Sequence, residues 1–239
     1  MSEREIGFDR DIKLEWLDSV ANQVAMGQPV EGVRKHIHEL LGKTLARAAL
    51  TKTTTVLLRV WSQVPQPALQ LRDRIAFSFL DLTAEERLTA HWALAMASYP
   101  FFADVATSVG RLLALQGDVQ NATLKRRLAE RWGDRSLMPQ AARKVIRSMV
   151  NWGVLRDPKP GVYIASPTPV FPTRRCMQYL VEALLVNGKE RSVPVAEIDT
   201  HPALFPFRIE VLAQHLRSAK QFNVHREGID SEIVELSSS

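Results

Sequence analysis

The sequence predicts a mainly α fold, and three observations predict it. Apolar residues recur at helical spacing through the first hundred positions, no strand-like alternation interrupts them, and short paired β-rich runs appear only after Trp152-Gly153 and again near the C-terminus. The simplest arrangement with that order is a helical bundle over residues 1–98, then a mixed unit over 99–167, then a second mixed unit over 168–239. At 239 residues, 46% of them hydrophobic and 24% charged, the chain is long enough to give these units real cores.

Residues 9–26 place Ile12, Leu14, Trp16, Leu17, Val20, Val24 and Ala25 on one side and stop near Gly27 and Pro29, which predicts the first helix. Residues 30–45 repeat the pattern through Val33, Ile37, Leu40, Leu41 and Leu45, giving a helical hairpin. A third helix is expected through Val56, Leu57, Leu58, Val60 and Trp61 up to Val64-Pro65. Thr51 or Thr53 is its expected cap, a reading favoured over an anion held by Lys52 and the helix-start amides. A fourth helix is expected over 66–82. Thr83, with Glu86 three residues on, makes a capping box for a fifth that runs through Trp92 and Met96 towards Pro100. That proline either kinks the fifth helix or starts the next. The uncharged run 92–103 is far shorter than the roughly twenty residues a bilayer span needs, so it reads as buried core and no membrane association is expected.

The middle unit carries the chemistry. Residues 101–116 form a supporting helix with Phe102, Val105, Val109, Leu112 and Leu113 inward, stopped by Gly117. The next helix has a polar cap at Asn121 or Thr123, inward Leu124, Leu128 and Trp132, outward Lys125, Arg126, Arg127 and Arg131, and a turn at Gly133. From about Ser136 a third helix puts Gln140, Arg143, Lys144, Arg147 and Asn151 on one side and Val145, Ile146, Met149 and Val150 on the other, with Pro139 tolerated only in its first turn. Val154-Leu155 and Val162-Tyr163-Ile164 then flank a Pro-Lys-Pro-Gly turn that carries Lys159. Helix, helix, turn, helix and hairpin is the order of a winged helix-turn-helix.

Charge points the same way. Between residues 118 and 160, ten Lys or Arg stand against four acids, a net +6, whereas the whole chain carries +5. The entire cationic excess therefore sits on one module, which favours double-stranded DNA as partner over a solvated basic face used for protein contacts. A helix fits the major groove, where Arg reads guanine and Gln or Asn reads adenine, while other cations neutralise phosphates. Gln140, Arg143, Lys144 and Arg147 are the base-edge candidates, and Lys125, Arg126, Arg131 and Lys159 the phosphate candidates. No basic-aromatic alternation suggests an RNA-stacking sheet.

Past Pro167 a proline-rich joint leads into a helix over 174–186, ended at Asn187-Gly188. A short helix over 194–199, a longer one over 206–220, and a hairpin of strands 222–225 and 229–234 across Arg226-Glu227-Gly228 then look like a weaker copy of the same order. Its charge is balanced, so a structural or partner-binding role is expected, with Arg208, His215, Arg217 and Lys220 as a secondary DNA face. Residues 237–239 read as a frayed tail.

Enzymatic motifs fail. Gly42-Lys43-Thr44 lacks the earlier glycine of a phosphate loop, which would fall at Ile37, and His38-Glu39 is followed by Gly42 where a metalloprotease needs histidine. His36 and His38 point to different sides of a helix, and Asp199 with His201 lacks a nucleophile motif. No enzyme activity, cofactor or metal is expected. The single cysteine, Cys176, forms no intrachain disulfide and suits a reducing cytoplasm; the charged N-terminus has no signal-peptide pattern.

The runs TKTTTVLLRVW, YPFFADVATSVGRLLALQGD, LKRRLAERWGDR and AARKVIRSMVNWGVL resemble the BrxA family, small proteins encoded in BREX bacteriophage-exclusion loci, and the likeness spans most of residues 9–167. The resemblance implies a cytoplasmic, all-helical, DNA-binding accessory of an antiviral defence system, with no catalytic residues to carry over. The family has sometimes been labelled an inner-membrane protein; the span length above speaks against that. A second class of function also fits, an assembly subunit whose bundle docks other proteins of a defence complex. A homodimer would double the basic surface, though no residue pattern requires one.

Overall fold

A computed structural model describes residues 6–187, 192–227 and 231–237 of the chain. Five helices come first: α1 (Leu14–Ala25), α2 (Val30–Leu41), α3 (Arg47–Trp61), α4 (Leu69–Ser78) and α5 (Ala84–Ser98). The middle segment runs α6 (Pro100–Gln116), β1 (Val119–Gln120), α7 (Asn121–Trp132), α8 (Met138–Asn151), β2 (Leu155–Lys159) and β3 (Val162–Ala165). The last runs α9 (Arg174–Asn187), β4 (Ser192–Pro194), α10 (Val195–Ile198), α11 (Ala213–Arg217), β5 (Phe222–Glu227) and β6 (Ser231–Leu236). The protein is mainly α, as its apolar periodicity predicts, with two small antiparallel sheets ordered β1-β3-β2 and β4-β6-β5.

Several elements follow the expected chemistry. The Thr83 hydroxyl accepts from the Glu86 amide at 3.3 Å while Glu86 Oε2 accepts from the Thr83 amide at 2.9 Å, a complete capping box. Those bonds hold the Glu86 carboxyl below its usual range, the backbone bond to Thr83 being the largest cause. Pro100 takes the first turn of α6 instead of kinking α5, and Gly117 ends α6 at φ 78°, a conformation that favours glycine.

Other elements depart from expectation. The first helix starts only at Leu14, because the preceding segment is held extended against α8. Thr51 and Thr53 lie inside α3, not at its cap; the helix starts at Arg47, and the Thr51 hydroxyl donates back to the Arg47 carbonyl at 3.0 Å. Asn121 is likewise inside α7, with Gln120 as its cap. The helix expected over 206–220 shrinks to α11, since Phe207 bridges Val170: the Val170 amide donates to Pro206 O at 3.0 Å and the Arg208 amide to Val170 O at 2.8 Å. Both sheets have a third strand, β1 and β4, that the sequence did not announce. The last hairpin pairs Phe222 with Leu236 through Glu227 with Ser231, one residue or more beyond the predicted strand ends; its predicted turn at Gly228 and strand start at Ile229 lie outside the described residues, as do Gly188, Ser238 and Ser239.

One core joins the three segments. Every residue of α5 from Leu88 to Ser98 is buried, so this helix is surrounded, with α9 packed against it. Trp92 on α5 makes edge-on contacts with Phe102, Phe205 and Phe207, and its indole N–H donates to the Ala203 carbonyl at 3.1 Å. Gly110 on α6 lets the turn at Pro202 approach so closely that a Cβ there would meet the Pro202 carbonyl oxygen at 1.9 Å. Arg74 on α4 forms a two-pronged ion pair with Glu182 on α9, whose side chain is 2% exposed, and Ser78 bonds Tyr179 beside it at 2.9 Å. Burial raises the Glu182 pKa against the opposing pull of Arg74. His91, wholly buried, accepts from the Trp61 indole at Nδ1 (3.0 Å), which leaves Nε2–H to donate to Asp18 at 3.0 Å. Desolvation lowers its pKa, with Asp18 acting in the opposite sense. Among the described residues no helix is long and apolar enough to cross a membrane.

Candidate nucleic-acid interface

The interface is built on α8, whose sequence divides it into two faces. Met138, Ala141, Ala142, Val145, Ile146 and Met149 are buried, while Gln140 and Arg143 are exposed and Lys144 and Arg147 half-buried. The extended N-terminal segment clamps the back of this helix. The Ile12 amide donates to Ser148 Oγ at 2.8 Å, the Trp152 indole donates to the Ile12 carbonyl at 2.9 Å, and Asn151 Nδ2 donates to Asp11 Oδ1 at 2.7 Å. Asn151, which spacing alone places with the exposed polar row, is therefore committed to the scaffold.

Arg147 leans from α8 to Asp157 on β2 at 2.6 Å, tying the helix to the hairpin. The hairpin is fixed from its other side by β1, which pairs Val119 with Tyr163, and by the Asn121 amide, which donates to the Gly161 carbonyl at 3.0 Å. Lys159 ends β2 and is exposed beside the turn.

The α7 cations split into two groups. Lys125 and Arg126 face solvent. Arg131 instead pairs at 2.6 Å with Asp104 of α6, a carboxylate only 8% exposed that also accepts the Trp132 indole N–H at 2.9 Å. A buried carboxylate needs such partners, so Arg131 anchors α7 on α6 and stands apart from the α8 face. Among the described residues, no carboxylate lies within ion-pairing distance of Lys125, Arg126, Arg143, Lys144 or Lys159. The arrangement offers an apolar-backed helix carrying uncompensated cations beside a cationic hairpin tip.

Sequence reasoning did not foresee a groove of 670 Å³ between α3 and the start of α8, into which Arg10, Lys52 and Arg135 project beside Gln140. Its trace in the sequence is slight: residues 40–72 contain no Asp or Glu, but of the cations there only Lys52 lines the groove. No protein-family model matches the chain, and no curated protein and no solved structure is detectably similar to it.

Proposed function

We propose that the protein binds duplex DNA, with residues 100–165 acting as a winged helix-turn-helix in which α8 enters the major groove and the β2–β3 hairpin is the wing. The observation that carries this is that Arg143 and Lys144 on α8 and Lys159 on the wing have no acid within ion-pairing distance among the described residues, on a module whose net charge exceeds that of the whole chain. Strand order β1-β3-β2, with β1 between the first two helices, supports the reading. Arg143, Lys144 and Gln140 are the base-edge groups, joined by Arg147 when it leaves Asp157; Lys125, Arg126 and Lys159 contact phosphate, whereas Arg131 contributes through packing. The resemblance to the BrxA family gives the setting: an accessory of a bacterial anti-phage defence system, acting without catalysis.

Replacing Arg143, Lys144 and Arg147 by alanine abolishes duplex binding in a fluorescence-anisotropy titration while leaving the helical circular dichroism intact; unchanged affinity would sink the assignment. A second reading, an assembly subunit for other proteins of the defence complex, draws on Phe77, 94% exposed at the end of α4, and Leu80 beside it at 51%. It gains if the purified protein ignores DNA but co-purifies with the products of neighbouring genes.

A further inference from the structure

The groove between α3 and the start of α8 combines three features. Among the described residues that line it, the cations Arg10, Lys52 and Arg135 stand against one acid, Asp9, which is engaged with Arg10 at 3.7 Å. It is bordered by hydrogen-bonding groups suited to phosphate oxygens, the Ser136 hydroxyl and the Gln140 amide, beside the apolar Val56. And at its edge lies a buried polar atom without a hydrogen-bond partner among the described residues. The Arg10 side chain donates to the Asp9 carbonyl at 2.8 Å through Nη1, but its Nε is buried without a hydrogen-bond partner. Buried donors are ordinarily satisfied, so this N–H, without a partner among the described residues, marks a shortage of acceptors at the edge of the groove.

Gln140 belongs both to this groove and to the exposed face of α8, so the two surfaces are continuous. We infer that the groove receives the phosphodiester backbone of the same duplex that α8 reads, making the N-terminal bundle part of the DNA interface through Lys52 and Arg10. The inference rests on the DNA-binding reading above. Backbone contacts of this kind position the protein and add affinity without adding sequence preference.

The test uses the full chain and random-sequence duplex DNA. Lys52→Glu keeps a good helix former on an exposed position of α3. It should weaken binding about tenfold and make the slope of log affinity against log salt shallower by about 1. Lys43→Glu, in the same acid-free stretch but outside the groove, should change affinity by less than about twofold at ordinary ionic strength. DNA should also shield the Lys52 amine, and not that of Lys43, from acylation read by mass spectrometry. If Lys52→Glu binds as the wild type does while Arg143→Ala/Lys144→Ala loses binding, the groove is overturned and the α8 reading stands. Equal losses from Lys43→Glu and Lys52→Glu overturn the groove in favour of diffuse charge. A wild-type chain that binds no duplex overturns both.

Discussion

Residues 100–165 and 174–236 run through the same order of elements, helix, strand, helix, helix, strand, strand, and both close a three-stranded sheet with the last strand in the middle. Each ties its third helix to its hairpin with one ion pair, Arg147 to Asp157 in the first and Arg217 to Glu232 in the second. They differ in charge and in what the helices touch. The first segment carries eleven Lys or Arg against five acids, the second eight against nine. The third helix of the first is 14 residues long, and among the described residues its Arg143 and Lys144 have no ion-pair partner; that of the second is 5 residues long. The first helix of the second segment, α9, is packed against α5 and tied to α4 by the Arg74–Glu182 pair. The difference teaches that topology alone assigns no role here: one copy turns its polar face outward, the other spends its best helix on the core.

The comparison breaks most visibly through binding. Arg143→Ala/Lys144→Ala should lower duplex affinity roughly a hundredfold, whereas Arg217→Ala/Lys220→Ala should leave it within about twofold, both read by anisotropy. If the second pair mattered as much as the first, the two segments would be functional equals. Next comes stability. Arg74→Ala leaves Glu182 buried without its partner and should cost about 2 kcal/mol in urea denaturation, while Arg147→Ala, at a half-exposed pair, should cost less than about 1 kcal/mol.

Acid should act through histidines that only the bundle and the second segment possess. Burial lowers the pKa of both His91 and His201, with Arg111 adding to the effect at His201, so each binds a proton more readily unfolded than folded. Their contribution is complete above the ordinary histidine value of 6.5 and is lost as pH falls below it, by up to about 1 kcal/mol per histidine per pH unit. His201 Nδ1 accepts the Ala203 amide at 3.2 Å, an acceptor role that His201→Asn can retain without titrating. That variant should flatten the acid limb of a stability–pH curve, and an unchanged limb would remove His201 from the account. The smallest effect is a gain: Asp157→Asn frees Arg147 and removes an acid from the wing, and should raise duplex affinity up to about threefold.

Much of the fold was legible where local chemistry decides it. Thr83 with Glu86, Pro100, Gly117 and the Pro-Gly turn near Lys159 each specify an end or a turn within a few residues. The rest was set by distant partners. β1 is two residues long, too short for alternation to register, and exists because Val162 and Tyr163 lie beside it. The residues after Pro206 have helical spacing, but the bridge from Phe207 to Val170 overrides it. In the candidate site, the amphipathic face of α8 could be read directly, whereas the fates of Arg131 and Asn151 depend on Asp104 and Asp11, 27 and 140 residues away in the chain. The groove at Lys52 needed the fold, since it joins helices far apart in sequence.

The central claim is that this surface holds DNA through backbone charge first. A titration of affinity against salt, on random duplex, tests it most directly. With about six phosphates engaged by α8, α7, the wing and the groove, log affinity should fall against log salt with a slope near −5, and random and genomic duplexes should differ little. A flat slope, or no duplex binding at low salt, would contradict it.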